Sequence, residues 1–294
     1  MLDLDASREA VPPRDASTLV LLRDAPGGGV EVFCVERNKK SGFMGGAVVF
    51  PGGKLDERDK DPAWSALATP PRPAPAFAPD EDALRALAIA ACRETLEEAA
   101  ILPLDGARLS HDELLALRAR VARPSRDTPP KEHLLDAVRA LGVRLDLAAL
   151  HPAARWITPA AESRRFDTRF YVARVAADER GLHDAHETMA SFWARPAEVV
   201  RRFLAGELQL APPTHRTLEI LASAASVDAA LAETAGACLE PICPRLVPHK
   251  DARGDTFALV LPGDPEHELR ELRSPGKSRY VLRGDRFLPE DPPA

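Results

Sequence analysis

Three glutamates lie close together in the segment Arg93-Glu94-Thr95-Leu96-Glu97-Glu98. On an α-helix, positions 94, 97 and 98 are related as i, i+3 and i+4, so the three carboxylates share one face. Like charges at that spacing destabilise a helix unless cations neutralise them. Arg93 can offset one charge, and a divalent cation that prefers oxygen ligands, Mg²⁺ or Mn²⁺, can offset the others. The segment therefore predicts a metal-binding helix face, with a solvated acidic face as the alternative.

A sharp turn precedes this segment. The short apolar run at residues 47–50 is typical of a strand, and Pro51-Gly52-Gly53 ends it. Glycine lets the backbone approach a ligand closely. Six prolines between residues 62 and 79 exclude a regular helix or sheet there, so residues 60–79 are expected to form a surface excursion. The acidic segment is then predicted to lie on a helix from about residue 83 to residue 99.

This order of strand, glycine turn, loop and acidic helix resembles the Nudix box, G-x5-E-x7-R-E-U-x-E-E-x-G-U, where U is aliphatic. The residues that match it are Gly53, Arg93, Glu94, Glu97, Glu98 and Ile101. Three features depart from it: Asp59 stands at the first glutamate, the proline-rich segment replaces the seven-residue spacer, and Ala100 stands at the last glycine. Ala100 is expected to affect the helix exit rather than the metal site, because glycine usually caps a helix there.

A narrower resemblance covers most of the chain. It is similar to the peroxisomal coenzyme A diphosphatase branch and its bacterial relatives, in which an insertion also splits the box. The segments that carry this similarity are, in order, 42–44, 49–56, 155–159, 165–170, 187–193, Pro196 and 212–214. Against the stricter coenzyme A signature upstream of the box, Arg37 and Gly46 fit, whereas Asn38 and Gly42 do not.

The resemblance implies an α/β fold, the Nudix α/β/α sandwich with a mixed sheet. Residues 17–225 are expected to form the hydrolase domain, with the proline-rich insertion at 60–79 and a helical insertion at 103–150. Residues 1–16 are expected to be a flexible lead-in. Strand signals return from Pro241 onward, and residues 226–294 are expected to form a β-rich C-terminal extension.

The resemblance also implies a metal-dependent hydrolase of pyrophosphate bonds. Glu94, Glu97 and Glu98, with a backbone carbonyl at Gly52 or Gly53, would hold Mg²⁺ or Mn²⁺ and so activate a water for attack on phosphorus. Arg93 would orient the carboxylates, and Glu187, Glu97 or Glu98 would accept the proton. The preferred substrate is coenzyme A or an acyl derivative. ADP-ribose, NADH and nucleotide sugars are alternatives, as is a Nudix-fold nucleotide sensor without catalysis.

Further residues are candidates for contacts with the substrate. Arg37, Lys39 and Lys40 offer cations for a 3′-phosphate, and Phe43 offers an apolar surface for a pantetheine arm. Arg165 and Arg169 are candidates for bidentate phosphate clamps. Because the chain is rich in arginine, a surface ion pair is the alternative for each of them.

Composition excludes several other classes of protein. The net charge of −6 and the aromatic content of 5% argue against a nucleic-acid partner. No stretch approaches the roughly 20 apolar residues that span a bilayer, and residues 1–10 lack the basic and apolar regions of a secretion signal.

The same composition suggests a compartment and a source. The four cysteines form no CxxC pair, which favours free thiols in the cytoplasm. The excess of 32 arginines over 7 lysines is typical of a GC-rich bacterial genome. We therefore expect a cytoplasmic, bacterial enzyme with a small-molecule nucleotide substrate. A homodimer is one option for its assembly.

Overall fold

The computed structural model describes residues 3–5, 7–38, 45–122, 130–184 and 188–292. The strands are β1 (Arg14–Asp24), β2 (Val30–Arg37), β3 (Ala47–Val49), β4 (Gly52–Lys54), β5 (His151–Ile157), β6 (Phe166–Arg174), β7 (Thr188–Ala194), β8 (Gln209–Leu210), β9 (Arg245–Asp251), β10 (Gly254–Val260), β11 (Arg279–Arg283) and β12 (Arg286–Glu290). The helices are α1 (Trp64–Leu67), α2 (Glu81–Ala99), α3 (His111–Val121), α4 (Leu134–Leu141), α5 (Pro196–Leu204), α6 (Pro212–Leu221) and α7 (Val227–Ala235). Short 3₁₀ turns lie at Glu57–Lys60 and Leu147–Ala149.

A mixed eight-stranded sheet lies at the centre of the fold. Its hydrogen-bonded order is β5-β6-β1-β2-β3-β8, with β4 also paired to β1 and β7 to β2. β1 runs parallel to β6, and β3 runs parallel to β8, whereas the other neighbours are antiparallel. Helices contribute to hydrophobic cores on both faces. The predicted α/β sandwich around a mixed sheet is therefore confirmed.

The central strand β1 is buried on both faces. Leu19 and Leu21 belong to one core, with α2, α3 and α4. Val20 and Leu22 belong to the other core, with α5, α6 and α7. Because successive side chains of a strand point to opposite faces, this near-continuous apolar run supplies both cores at once.

Helix α2 carries the acidic segment. Asp80 caps its start by accepting a hydrogen bond from the backbone N–H of Ala83 at 2.8 Å. The predicted helix is thus confirmed, with its start two residues earlier than expected. Ala100 follows its last turn in the left-handed region at φ 53°, the conformation for which glycine is favoured. The departure from the motif at Ala100 therefore lies at the helix exit, as expected.

The proline-rich insertion is not a surface excursion, and that prediction is wrong. Trp64 and Phe77 are 2% and 0% exposed and belong to the core beneath α2. The Phe77 ring stands edge-on to Tyr171, with ring centroids 5.4 Å apart. Arg155 and Arg169 donate hydrogen bonds to the carbonyls of Ala76 and Phe77 at 2.6 and 2.9 Å. Prolines restrict the backbone of this segment, but they do not keep its side chains out of the core.

The C-terminal extension adds a second, four-stranded antiparallel sheet with the order β12-β11-β10-β9, which confirms its predicted β-rich character. Helix α7 precedes this sheet, and no helix was predicted there. Leu259 and Tyr280 from the second sheet belong to the same core as Val20 of β1. Residues on both sides of the expected boundary at residue 225 therefore share one hydrophobic core.

The start of the chain is also tied to the sheet. β1 begins at Arg14, inside the expected flexible lead-in. Leu4 forms an antiparallel bridge with Glu162, and the N–H of Asp5 donates to the carbonyl of Ala161 at 2.9 Å. Backbone hydrogen bonds thus tie the described part of residues 1–16 to the rest of the fold at Leu4, Asp5 and Arg14. No helix of the described residues is long and apolar enough to cross a membrane.

Candidate active site

The glycine turn lies directly against the acidic face of α2. The N–H of Gly52 donates to Oε2 of Glu98 at 3.0 Å, and Glu98 is only 6% exposed. A Cβ atom added to Gly53 would lie 2.5 Å from both carboxylate oxygens of Glu94. Only a residue without a side chain therefore allows the Glu94 carboxylate to reach the turn at β4.

Arg93 neutralises part of the negative charge in this cluster. Its Nη1 donates to Oε1 of Glu94 at 2.7 Å and to Oε1 of Glu97 at 3.2 Å, and its Nη2 donates to the carbonyl of Lys54 at 2.8 Å. Burial alone would lower the pKa of Arg93, but the carboxylates of Glu94, Asp59 and Glu97 raise that pKa well above its ordinary value. The guanidinium is thus a permanent cation that fixes two glutamates and the turn.

Asp59 occupies the position of the first glutamate of the box. It is 3% exposed, and its two oxygens accept hydrogen bonds from Nε and Nη2 of Arg93. Oδ2 also accepts the N–H of Asp56 at 2.8 Å, which closes the 3₁₀ turn at Glu57–Lys60. The sequence showed Asp59 only as a departure from the motif. Its place at the first glutamate of the box was the signal that it would pair with Arg93.

The donor set of the cluster fits a hard divalent cation. Glu94, Glu97 and Glu98 offer only oxygen ligands, from one helix face that meets a close backbone turn, and Mg²⁺ and Mn²⁺ prefer such ligands. The Glu94 carboxylate occupies the space that a Cβ atom on Gly53 would fill, so the carboxylates and the turn lie in close contact. These residues are therefore the ones that could hold the metal.

A second group of candidate ligand atoms lies far away in sequence. Among the residues that the structure describes, ligand atoms of His249, Asp251 and Glu290 lie within 4.8 Å of one another. Arg283 donates from Nη2 to Asp251 at 2.5 Å and to Glu290 at 2.7 Å. Both carboxylates of this group are therefore already paired with the guanidinium of Arg283.

Comparison with known proteins identifies the family. The model of the NUDT19 Nudix domain matches residues 76–221. The acyl-coenzyme A diphosphatase NUDT19 of Gallus gallus is 30% identical over 311 residues, which cover 85% of this chain and 79% of that protein. The chain belongs to the Nudix hydrolase family, in its NUDT19 branch.

Two further comparisons agree with this assignment. The human protein of the same name is 29% identical over 282 residues, which cover 82% of this chain and 73% of that protein. A solved Nudix hydrolase from Alicyclobacillus acidocaldarius is 29% identical, with a TM-score of 0.62, and covers 76% of this chain and 96% of its own. The two curated relatives are animal proteins, which does not match the expectation of a bacterial source.

In this Nudix hydrolase, the side chains of Arg165 and Arg169 donate hydrogen bonds to backbone carbonyls of the same chain. Arg165 donates to the carbonyls of Thr158 and Val11 at 3.0 and 2.7 Å. Arg169 is 5% exposed; besides the carbonyl of Phe77, its guanidinium contacts Oδ1 of Asp15 at 2.6 Å. Both guanidiniums support the fold through these contacts, and the phosphate-binding role expected of them stays a prediction.

The remaining predicted site residues lie at the end of β2 or outside the described part of the chain. Arg37 ends β2, and its buried Nε has no hydrogen-bond partner among the described residues. Lys39, Lys40, Phe43 and Glu187 lie outside the described residues. The structure brings together the glycine turn and the acidic segment that the sequence predicted, namely Gly52, Gly53, Arg93, Glu94, Glu97 and Glu98.

Proposed function

We propose that this Nudix hydrolase cleaves the pyrophosphate bond of coenzyme A or acyl-coenzyme A, giving 3′,5′-ADP and the phosphopantetheine or acyl-phosphopantetheine half. The observation that carries the proposal is the 30% identity over 79% of a protein named acyl-coenzyme A diphosphatase. The carboxylate face of α2 at the Gly52-Gly53 turn supports it, because an oxygen-only donor set suits Mg²⁺ or Mn²⁺, which can activate water for attack on a phosphoanhydride.

The metal site is proposed at Glu94, Glu97 and Glu98. Mg²⁺ or Mn²⁺, when bound there, would neutralise the pyrophosphate and lower the pKa of a bound water. Arg93 holds Glu94 and Glu97 in place through its Nη1 hydrogen bonds, and the N–H of Gly52 holds Glu98. These contacts fix the carboxylates before the substrate arrives, so less reorganisation is needed during the reaction.

The proton acceptor and the phosphate contacts are proposals from the sequence. Glu187, Glu97 or Glu98 would take the proton from the attacking water. Arg37, together with Lys39 and Lys40, would bind the 3′-phosphate, with Phe43 beside the pantetheine arm. The prediction for this group is a higher kcat/KM for coenzyme A than for 3′-dephospho-coenzyme A, by roughly 10- to 150-fold for one charge-assisted contact.

A panel assay tests the proposal. The purified protein is incubated with Mg²⁺ or Mn²⁺ and with acetyl-coenzyme A, coenzyme A, 3′-dephospho-coenzyme A, ADP-ribose or NADH, and the products are separated by liquid chromatography. The expected result is the highest kcat/KM for coenzyme A or its acyl derivative. If ADP-ribose or NADH is the best substrate, that alternative replaces the proposal. Tight nucleotide binding without any product would indicate a sensor.

We also propose the cytoplasm as its compartment and a homodimer as its assembly. All four cysteines are free in the structure, including the buried Cys34 and Cys92, which supports a reducing compartment. Light scattering on the purified protein tests the homodimer through its mass, because the chain is 31.8 kDa.

A further inference from the structure

A cavity of about 170 Å³ lies on the sheet face opposite α2. Phe50, Trp156, Phe170 and Leu259 line it, and all four belong to the core that excludes α2. Pockets that enclose a whole drug-sized ligand measure about 300–1,000 Å³. A cavity of this size therefore takes one portion of a substrate rather than all of it.

The cavity begins next to the catalytic turn. Thr18 lines it and is the register partner of Gly52, whose N–H holds Glu98. A Cβ atom on Gly52 would lie 2.6 Å from Oγ1 of Thr18, so the turn and the cavity wall are in close contact. Whatever occupies the cavity therefore belongs to the part of the substrate that is bonded directly to the pyrophosphate.

The lining excludes the charged parts of a nucleotide. It contains aromatic and aliphatic side chains, prolines and the hydroxyl-bearing residues Thr18, Thr158, Thr168 and Thr214, and none of the described residues that line it is charged. A phosphate buried there would have no cation to pair with, which is strongly unfavourable. Apolar walls with scattered hydroxyls instead match an uncharged, branched alkyl group that carries hydroxyl and amide groups.

The C-terminal extension supplies part of this wall. Leu259 of β10 is 1% exposed and lines the cavity together with Pro244, which precedes β9. The other lining residues come from the mixed sheet, the residues that follow its strands, and the start of α6. Without the second sheet, the cavity would be open on that side.

We propose that this cavity binds the pantetheine arm of the substrate at the end next to the pyrophosphate, and that Leu259 determines how well the arm fits. The inference rests on the proposed function. It assigns the C-terminal extension a role in substrate selection. The adenosine half, which carries the 3′-phosphate in coenzyme A, is then bound elsewhere, outside this uncharged lining.

Binding of the two product halves tests this assignment without turnover. Isothermal calorimetry measures the Kd of 4′-phosphopantetheine and of 3′,5′-ADP for the wild type, for Leu259→Phe and for Thr168→Val. Leu259→Phe fills the cavity, and a misfit of this kind weakens binding by about tenfold or more. Thr168→Val removes a hydroxyl at nearly constant shape and should weaken binding by about 3- to 10-fold. Neither variant should change the Kd of 3′,5′-ADP.

Leu261→Phe is the matched control. Leu261 lies two residues after Leu259, is 2% exposed and belongs to the same core, but it does not line the cavity. Overpacking there should leave the Kd of 4′-phosphopantetheine unchanged. If Leu259→Phe does not fold, Thr168→Val carries the test alone, since it adds no volume.

The remaining outcomes have separate meanings. If the variants weaken 3′,5′-ADP and leave 4′-phosphopantetheine unchanged, the cavity holds the adenosine half and the inference is overturned. It is also overturned if neither ligand is affected, or if the wild type does not bind 4′-phosphopantetheine. The proposed function fails independently, when the wild type cleaves no coenzyme A derivative in the panel assay.

Discussion

Asp59 and Arg93 form a two-point ion pair, in which Oδ1 accepts from Nε at 2.9 Å and Oδ2 accepts from Nη2 at 3.0 Å. The Asp59 side chain is 2% exposed and that of Arg93 is 16% exposed. Aspartate is one methylene shorter than the glutamate of the Nudix box. The 3₁₀ turn at Glu57–Lys60, closed by a capping box on Asp56, brings the shorter carboxylate within reach of the guanidinium.

The first prediction concerns this ion pair. Asp59→Asn keeps the shape but removes the charge that Arg93 faces, so an arginine is left with fewer anionic partners in a buried place. We expect the free energy of unfolding in urea to fall by about 3 kcal/mol and kcat to fall as well. Asp136→Asn is the control, because Asp136 pairs with Arg58 on the surface and should change stability by less than about 1 kcal/mol. Equal effects of the two variants would contradict this role of Asp59.

The second prediction concerns the metal. Glu97→Gln and Glu98→Gln each remove one negative charge with little change in helix propensity. If both residues are ligands, kcat should fall by at least about 10² at saturating Mg²⁺. Glu81→Gln is the control, since Glu81 lies in the exposed first turn of the same helix. Either box variant retaining more than half of the wild-type activity would remove that residue from the site.

The third prediction concerns the turn. Gly53→Ala places a methyl group 2.5 Å from the carboxylate oxygens of Glu94, so the carboxylate must leave its place. We expect kcat to fall by at least tenfold, while the circular dichroism spectrum stays that of the wild type. Gly236→Ala is the control, because the nearest atom to its added Cβ is 3.7 Å away. A fully active Gly53→Ala enzyme would show that Glu94 does not need its position at the turn.

Part of this site was predictable from sequence because it depends on local spacing. The i, i+3, i+4 spacing of Glu94, Glu97 and Glu98 sets their common face wherever the helix lies. The apolar positions Leu84 and Leu87 likewise predict the buried face of α2, and both are buried. Period and capping are properties of neighbouring residues, so no knowledge of the rest of the chain is required.

Local sequence patterns do not suffice where a residue depends on a distant partner. Arg169 pairs with the carbonyl of Phe77, 92 positions away, and no local pattern distinguishes that bond from a phosphate contact. The proline-rich insertion was misjudged because proline content describes the backbone, whereas the burial of Trp64 depends on the core it meets. The cavity between Thr18 and Leu259 is likewise visible only once the two sheets are assembled.

The fourth prediction follows from the corrected insertion. Phe77→Ala removes a fully buried ring that contacts Tyr171, so we expect the free energy of unfolding to fall by about 3–5 kcal/mol. Pro75→Ala, at an exposed position of the same segment, is the control and should have little effect. Urea unfolding followed by tryptophan fluorescence measures both. A Phe77→Ala protein as stable as the wild type would restore the picture of a surface excursion.

The fifth prediction concerns the contact between α6 and the second sheet. Nδ1 of His215 lies 3.0 Å from the hydroxyl of Tyr280, and the imidazole is 1% exposed. Burial, followed by the charge of Arg216, lowers the pKa of His215 to about 4 from 6.5. Between these two values the unfolded chain binds the proton and the folded protein does not, so stability rises with pH across that window.

The stability that depends on a neutral His215 is therefore fully present above pH 6.5 and is lost as the pH falls toward 4. From pH 8 to pH 5 this single group should lower the free energy of unfolding by about 2 kcal/mol. His215→Asn should shrink the difference between those two pH values by that amount, as measured by urea unfolding. Tyr280→Phe keeps the imidazole and should keep the pH dependence even if it lowers stability. An unchanged pH dependence in His215→Asn would show that this imidazole is not held neutral by its burial between α6 and β11.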